Sequence, residues 1–566
     1  MFFTLAVSAA SPRRCAELAD RARVADPAVM PIPGPAVVAW RSPDGRAALL
    51  HWGGPGGAGS PGTSGAAAGE AGSADVTVTS QAGTIWADPA TPGSGRAPIV
   101  ARTTVTRVDP VYVAEVPGAV IVADRAIWAA WTASRLDAHD PLHVAALLNP
   151  GFPLGSATPF AGVSALGRST TLHLLNGDLT RLPTPAEASA PTPVPGGGLS
   201  GGARAVAAGL VAAVAHLADV GQPVELSLTG GKDSRLIAAA LVAAGVPVVA
   251  RTHGFADHPD VVVAAEIARR LGIEHLVRTP AAPGQQVDVL GRIRATVLVA
   301  DGMLSAFENV GRPDPAASSA VTAGGHGGEL LRGGYAETAA GRPGSATGVR
   351  AALAPARRAA RAAELLRRLT SKHLGLIRPG PAAGYVASLA PWSAALARRP
   401  LHALDDFYLV NRAGRWSAAA RQAYLIRERL VQPLFDDRVV LAARAVPLGE
   451  RISGALSAAV LAELCPALVD VPLAGKPPKA AAGGGQAPFD WRRQYGEAVG
   501  SLLRDYTFDL GAPAGLFAVV NRSAAEKVLT LPHTDHATVW ALATLACLLS
   551  GDYRHARNPA QLVSVS

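Results

Sequence analysis

The sequence predicts an α/β protein in two parts: a β-rich first part, then a parallel α/β core that runs into a mainly helical remainder. Three observations predict it. Short β-branched runs at 47–52, 84–87, 103–108, 111–116 and 119–123 are separated by turn residues, the pattern of strands. Beyond residue 203 strands and helices alternate: a helix over 203–220, a buried strand at 224–228, a helix over 234–244, a strand at 246–252 and a helix over 259–271. Such alternation implies right-handed crossovers and a parallel sheet. From about residue 350 the segments are rich in Ala, Arg and Leu with helical periodicity.

The elements follow in chain order. Residues 1–10 (MFFTLAVSAA) superficially resemble a secretion signal, but they lack a basic n-region and their apolar run is short, so they read as a first β-strand. Residues 53–74 have no hydrophobic period and read as a floppy surface excursion, and the Gly/Ala-rich patches 338–348 and 480–487 read as mobile loops inside the second half. Residues 183–202 (PTPAEASAPTPVPGGGLSGG) read as an interdomain linker, which divides the chain into 1–182, 183–202 and 203–566. At roughly 100–200 residues per domain, 566 residues fit two large domains.

Composition excludes several classes. Apolar residues make up 49% and charged residues 17%, which is incompatible with a disordered scaffold. Cys15, Cys465 and Cys547 are scattered, without CxxC or metal-ligand spacing, so no disulfide framework or structural zinc is expected and a reducing cytoplasm is the simplest home. No stretch approaches the ~20 uncharged apolar residues of a membrane span; 117–131, for instance, is interrupted by Asp124 and Arg125. Net charge is +9, from 52 basic against 43 acidic residues, yet there is no Lys/Arg block and no aromatic interleaving, so no nucleic-acid partner is expected. The basic residues are almost all arginine. Lysine occurs only at 232, 372, 476, 479 and 527, where a compact ammonium can be specifically needed.

The strongest motif is Leu226-Ser227-Leu228-Thr229-Gly230-Gly231-Lys232-Asp233-Ser234. A hydrophobic strand enters a Gly-Gly turn and a helix starts at the serine. That arrangement aims backbone N–H groups and the positive end of a helix dipole at one place, which suits a phosphate. The glycines permit close approach, Ser227, Thr229 and Ser234 offer hydroxyls, and Lys232 adds charge. Asp233 would be repelled by bare phosphate and makes sense as a Mg²⁺ ligand. The loop is not a Walker A motif, because GxxxxGK[ST] is absent.

This loop resembles the SGGxDS pyrophosphate loop of ATP pyrophosphatases, with Thr229 for the first Ser. Together with Thr252-His253-Gly254 and the segment Gly324-Gly325-His326-Gly327-Gly328-Glu329-Leu-Leu-Arg332-Gly333-Gly334-Tyr335, it resembles the synthetase domain of the asparagine synthetase B family. The resemblance implies an adenine-nucleotide α-hydrolase-like parallel α/β domain that binds ATP and Mg²⁺. It places Thr252, His253 and Gly254 at the adenine and lays Gly325 and Gly327 over the pyrophosphate. Glu329 falls where the family has its second Mg²⁺-binding Asp. His326 falls where asparagine synthetases have Glu and β-lactam synthetases have Tyr, so it is either the proton acceptor or a hydrogen-bonded residue of a Gly-rich turn. Residues 431–442 (VQPLFDDRVVLA) are similar to an "RxPFLDxRLVE" element that shapes the acceptor side or serves packing. Lys476, with Lys479 in reserve, sits where the family carries a lysine that meets the adenylate and the departing pyrophosphate.

The first domain, through 107–115, 120–125 and 151–160, resembles the family's glutaminase-type Ntn-hydrolase domain. Such glutaminases need Cys after the initiator Met, and residue 2 is Phe, so this activity is expected to be dead and the nucleophile must come from elsewhere. Relatives with a dead glutaminase domain include β-lactam synthetases and lasso-peptide macrolactam cyclases. The chain length, the absence of the β-lactam group's Tyr and the segment 407–416 (FYLVNRAGRW) look more like a lasso cyclase. The implied reaction is ATP-dependent adenylation of an Asp or Glu side chain of a precursor peptide, followed by attack of the peptide's N-terminal amine. A leader peptidase and a leader-recognition protein are then expected partners. A small-molecule β-lactam synthetase, an ammonia-using amidotransferase and a catalytically retired binding protein remain as alternatives.

Overall fold

The computed structural model describes residues 2–23, 37–53, 84–87, 99–184, 198–279, 287–310, 320–340, 354–425, 429–475, 492–493, 495–530 and 535–556. The low-complexity stretch beyond residue 53, the patch 480–487, residues 341–348, Lys476 and Lys479 lie outside them, while 338–340, expected as loop, end the helix Tyr335–Ala340.

All five residues of Ala119–Ala123 are buried, and alternation on a strand sends them to opposite faces. Val120 and Val122 join one apolar layer with Leu49, Ile99 and Leu172. Ala119, Ile121 and Ala123 join another with Leu18 and Trp128. A sheet buried on both faces must be covered by another sheet on one side and by helices on the other, and this is what surrounds it.

In chain order the first-half strands are β1 (Phe2–Ala9), β2 (Val37–Arg41), β3 (Ala47–Gly53), β4 (Ile85–Ala87), β5 (Ile99–Arg102), β6 (Tyr112–Val116), β7 (Ala119–Ala123), β8 (Val163–Ala165), β9 (Thr170–Leu175) and β10 (Asp178–Pro183). They form an antiparallel six-stranded sheet, β2-β3-β1-β7-β6-β8, and an antiparallel four-stranded sheet, β10-β9-β5-β4. Helices Pro12–Arg23 and Ala126–Thr132 cover the outer face of the larger sheet. The signal-like N-terminal run is β1, hydrogen-bonded between β3 and β7.

Two first-half expectations are corrected. The run 103–108 is not a strand. β5 ends at Arg102, and the chain turns out of the sheet with Arg107 at φ 57°, where its backbone and side chains bond the second half instead. Val105 N–H donates to Asp437 Oδ1 at 2.9 Å and Arg107 Nη2 to the Val410 carbonyl at 3.1 Å. The segment 183–202 is also not all linker, because a helix starts at Gly198 and runs to Val214. Its glycines serve packing rather than flexibility. A Cβ at Gly202 would lie 2.1 Å from Val446 Cγ2, and one at Gly209 would lie 3.3 Å from the Val439 backbone nitrogen.

The second half contains β11 (Val224–Ser227), β12 (Val248–His253), β13 (Glu274–Arg278), β14 (Val321–Ala323) and β15 (Arg429–Val431). All pairings are parallel, in the order β13-β12-β11-β14-β15. From β11 the chain steps outward to β12 and β13, then crosses back to place β14 on the other side. The β11/β14 boundary is therefore the topological switch point, where the loops leaving neighbouring strands diverge and open a crevice at their carboxyl ends. The edge strand β15 lies inside the region expected to be helical; three residues are too short to show a strand period.

The segment Gly198–Val220 is long and apolar enough by composition to cross a membrane. Its Val206, Leu210, Val214 and Leu217 instead pack into the core of the parallel sheet with Leu226, Ile237 and Val439. The two halves share a further core in which Phe3, Ile121 and Trp128 meet Ile293, Val297, Trp540 and Leu548.

A buried ion pair, Arg125–Asp301, crosses between the halves. Asp301 also accepts from Ala126 N–H at 2.8 Å, and Arg125 Nη2 donates to the Leu298 carbonyl at 2.7 Å. Asp301→Ala strands a buried guanidinium, so it is expected to lower stability by about 3–5 kcal/mol in chemical denaturation. An unchanged midpoint would show that the pair does not carry the junction.

Candidate active site

The loop leaving β11 is a self-bonded turn. Thr229 N–H donates to Ser234 Oγ at 3.0 Å, the two hydroxyls lie 3.1 Å apart, and Gly231 N–H donates to Thr229 Oγ1 at 3.2 Å. Gly230 N–H donates to Asp260 Oδ1 at 3.0 Å. The three loop amides are thus spent inside the protein, contrary to the expectation that they face a phosphate. The donors that remain are the first-turn amides of helix Lys232–Ala243, which by helix geometry have no intrahelical acceptor. That helix starts at Lys232, two residues earlier than expected, and Lys232 itself is exposed. Ser227, the last residue of β11, is also exposed.

Arg235 clamps this loop. Its buried guanidinium donates to the carbonyls of Gly230, Gly231, Val471 and Pro472, at 3.0, 3.0, 2.8 and 3.1 Å. Ala474 N–H closes the contact on the Gly230 carbonyl at 3.0 Å. Gly230 must be glycine here, since a Cβ would lie 2.4 Å from Ala474 Cβ. The chain is therefore anchored to the 229–234 loop immediately before residue 476.

The second loop leaves β14 and packs backbone to backbone on the first. A Cβ at Gly325 would lie 2.8 Å from Ser234 N, one at Gly327 (φ 101°) 2.9 Å from Phe435 Cε1, and one at Gly328 2.0 Å from Asp233 Cγ. These contacts explain the glycine run, and they hold Asp233 beside the turn that carries Glu329. Asp233 is ion-paired with Arg332, whose Nε also reaches Glu337 Oε2 at 3.3 Å. Glu329 Oε2 accepts from Tyr408 Oη at 3.0 Å.

His326 remains exposed at the surface of this second loop. Although part of the residue meets solvent, desolvation of the ring by the surrounding protein lowers its pKa from the usual imidazole value; Glu329 and Asp233 pull it upward and Arg412 adds to the lowering. The ring is accordingly neutral at pH 7 and able to accept a proton.

The residues expected at the adenine, Thr252, His253 and Gly254, serve partly as scaffolding. Thr252 is buried, with its hydroxyl donating to the Leu228 carbonyl at 2.8 Å and lying 2.9 Å from His275 Nε2. His253 ends β12 and is exposed, and Gly254 N–H donates to the Arg278 carbonyl at 3.1 Å. The 431–442 element begins on the last residue of β15 and supplies the turn Pro433–Phe435 over Gly327 and most of the helix Asp437–Ala445, capped by Asp436.

Asp260, Arg235, Arg332 and Tyr408 were not singled out from sequence. Arg235 directly follows the motif serine, but in an arginine-rich chain one more arginine carries no signal. Asp260 and Tyr408 reach the site only through tertiary packing.

Residues 205–550, more than half the chain, match the family model of asparagine synthase. The chain belongs to the asparagine synthase family. No curated protein matches it. As a member of the family it is, by class, an ATP-dependent amide-forming ligase, and the family uses ATP, typically with Mg²⁺. The donor set fits that ion: Mg²⁺ takes one or two carboxylates plus substrate phosphates, and Asp233 and Glu329 are hard oxygen donors on two loops locked together. Arg332 and Tyr408 leave each carboxylate lone pairs for a cation.

Proposed function

We propose that the protein closes a macrolactam in a precursor peptide, as a lasso-peptide cyclase does. The observation that carries this reading is the locking of the 229–234 and 324–329 loops at the β11/β14 switch point, with His326 exposed between two carboxylate-bearing turns. The first-half fold supports it too. We regard this half as a retired glutaminase-type domain, because its single cysteine, Cys15, is buried and burial pushes the thiol up to about 11, leaving no thiolate to release ammonia. The amine therefore belongs to the substrate. Buried free thiols at Cys15 and Cys547 suit a reducing cytoplasm.

In this mechanism the first-turn amides of helix Lys232–Ala243 bind the triphosphate, and Thr252, His253 and Gly254 flank the base. Asp233 and Glu329 would hold Mg²⁺, which when bound would neutralise charge on the phosphates. An Asp or Glu carboxylate oxygen of the peptide bonds to the α-phosphorus as the bond to pyrophosphate breaks. The peptide's N-terminal amine then attacks the acyl carbon, AMP departs, and His326 takes the amine proton. Lys476, two residues past the anchored Ala474, steadies the negative charge; Lys479 is its alternate. A leader peptidase exposes the amine and a recognition protein delivers the peptide.

Purified protein with ATP, Mg²⁺ and a leaderless Asp/Glu-containing peptide is expected to yield AMP in step with a peptide lighter by one water. Turnover of small amino-acid carboxylates with the peptides left unchanged would overturn the macrolactam reading.

His326 gives the reading a pH signature. A base works deprotonated, so amide formation is expected to rise with pH through a pKa below the usual imidazole value and stay level above it. His326→Asn is expected to lower the rate about 10²–10⁴-fold and abolish the acid limb. Retention of that limb in the variant would remove His326 from proton transfer.

A further inference from the structure

The segment 408–417 is a π-helix, a rare wide-bore element frequently found at functional sites. Here it sits against the site. Tyr408 at its start bonds Glu329, and the Tyr335 ring meets Tyr408 edge-on at 5.1 Å. Its inner side is fixed to the first half: Asn411 Oδ1 accepts from Gly155 N–H at 2.9 Å, and Gly414 packs on the Thr106 carbonyl, where a Cβ would lie at 2.8 Å. The π-helix is therefore a rigid strut between the two halves.

Arg412 rides on that strut, one turn from Tyr408. Its guanidinium stacks 3.5 Å from the Trp416 ring centroid and lies 5.9 Å from that of Phe152. Among the described residues it has no ion pair. Its positive charge nonetheless acts on His326, Tyr335, Tyr408 and the partly buried Glu308. The neighbouring arginines are placed differently: Arg332 pairs with Asp233, Arg107 donates to three carbonyls, and Arg415 is fully buried with Nη2 on the Ala157 carbonyl. An arginine oriented by aromatic faces and held on a packed element, with Glu308 near enough to feel its charge but no carboxylate at ion-pair distance among the described residues, keeps its donors for an anion. The phosphates belong to the Lys232 helix; the anion left for Arg412, on the His326 side, is the carboxylate to be activated.

We propose that Arg412 is the residue that recognises the substrate carboxylate and holds it beside the nucleotide loop. This rests on the ligase reading and names its substrate-selecting group. A guanidinium discriminates a carboxylate from the isosteric amide, which lacks both the charge and one acceptor.

The test is binding in the presence of Mg²⁺ and α,β-methylene ATP, which blocks adenylation. The probes are leaderless Asp- and Glu-containing peptides, their Asn and Gln counterparts, and N-acetyl-aspartate methylamide. Wild type is expected to prefer the carboxylates by at least about tenfold. Arg412→Gln is expected to abolish that preference while leaving affinity for the nucleotide analogue within twofold, and Arg412→Lys is expected to restore part of it. Equal preference in wild type and a folded Arg412→Gln, or no carboxylate binding by wild type, would overturn the assignment. A wild type that binds carboxylates through Arg412 yet shows no ATP/pyrophosphate exchange would refute the ligase reading and leave the carboxylate site standing.

Discussion

Asp233→Asn is expected to remove substrate-dependent ATP/pyrophosphate exchange by on the order of 10²–10³-fold or more, with the fold retained. The substitution is nearly isosteric, so the contact with Gly328 survives. What changes is charge. The carboxylate faces Arg332 on one side and the carboxylate-bearing turn of Glu329 on the other, and an amide neither binds Mg²⁺ well nor balances the guanidinium. Arg332 keeps Glu337, so no cation is left without a carboxylate and thermal stability is expected to change little. Exchange at the wild-type rate by the folded variant would contradict the metal assignment.

Gly325→Ala is expected to weaken ATP binding by at least about tenfold and to lower stability by about 1–3 kcal/mol. The new methyl would lie 2.8 Å from Ser234 N, 3.0 Å from Ser234 Cα and 3.1 Å from Asp233 C. All three are backbone atoms at the start of a helix, so no rotamer change relieves the clash and the two loops must separate. Separation draws Glu329 away from Asp233. Gly449→Ala is the control, because its Cβ would meet nothing within 4 Å. Isothermal titration with a non-hydrolysable ATP analogue distinguishes the two. Equal affinity in both variants would show that the close approach of the loops is not needed for nucleotide binding.

Much of this was legible in the sequence, for reasons that can be named. The strand-turn-helix at 224–243 showed itself because the buried Val224, Leu226 and Leu228 recur at the strand period and because a Gly-Gly turn carrying Thr, Asp and Ser is chemically unusual. The glycines of 324–328 were visible as a motif, but the reason for Gly325, Gly327 and Gly328 was not: it is the 2.0–2.9 Å approach of Ser234, Phe435 and Asp233, which only the fold supplies. The 103–108 run misled because β-branched residues also suit a turn whose hydroxyls bond locally, as Thr104 and Thr106 do at 3.2 Å. The Gly-rich end of the expected linker misled in the opposite way, since glycine permits close helix packing as readily as it permits flexibility. Arg235, Arg332 and Arg412 were hidden by composition: in a chain that uses arginine for nearly every cation, the functional ones differ from the rest only in what they touch.

The central claim is that the β11/β14 crevice activates a carboxylate through ATP. ATP/pyrophosphate exchange measures that step directly, with purified protein, Mg²⁺ and a panel of carboxylates that includes leaderless Asp- and Glu-containing peptides. Exchange that depends on peptide and Mg²⁺, and that is lost in Asp233→Asn, is the predicted result. Absence of exchange from folded, ATP-binding protein, with a leader peptidase and recognition protein also supplied, would contradict it.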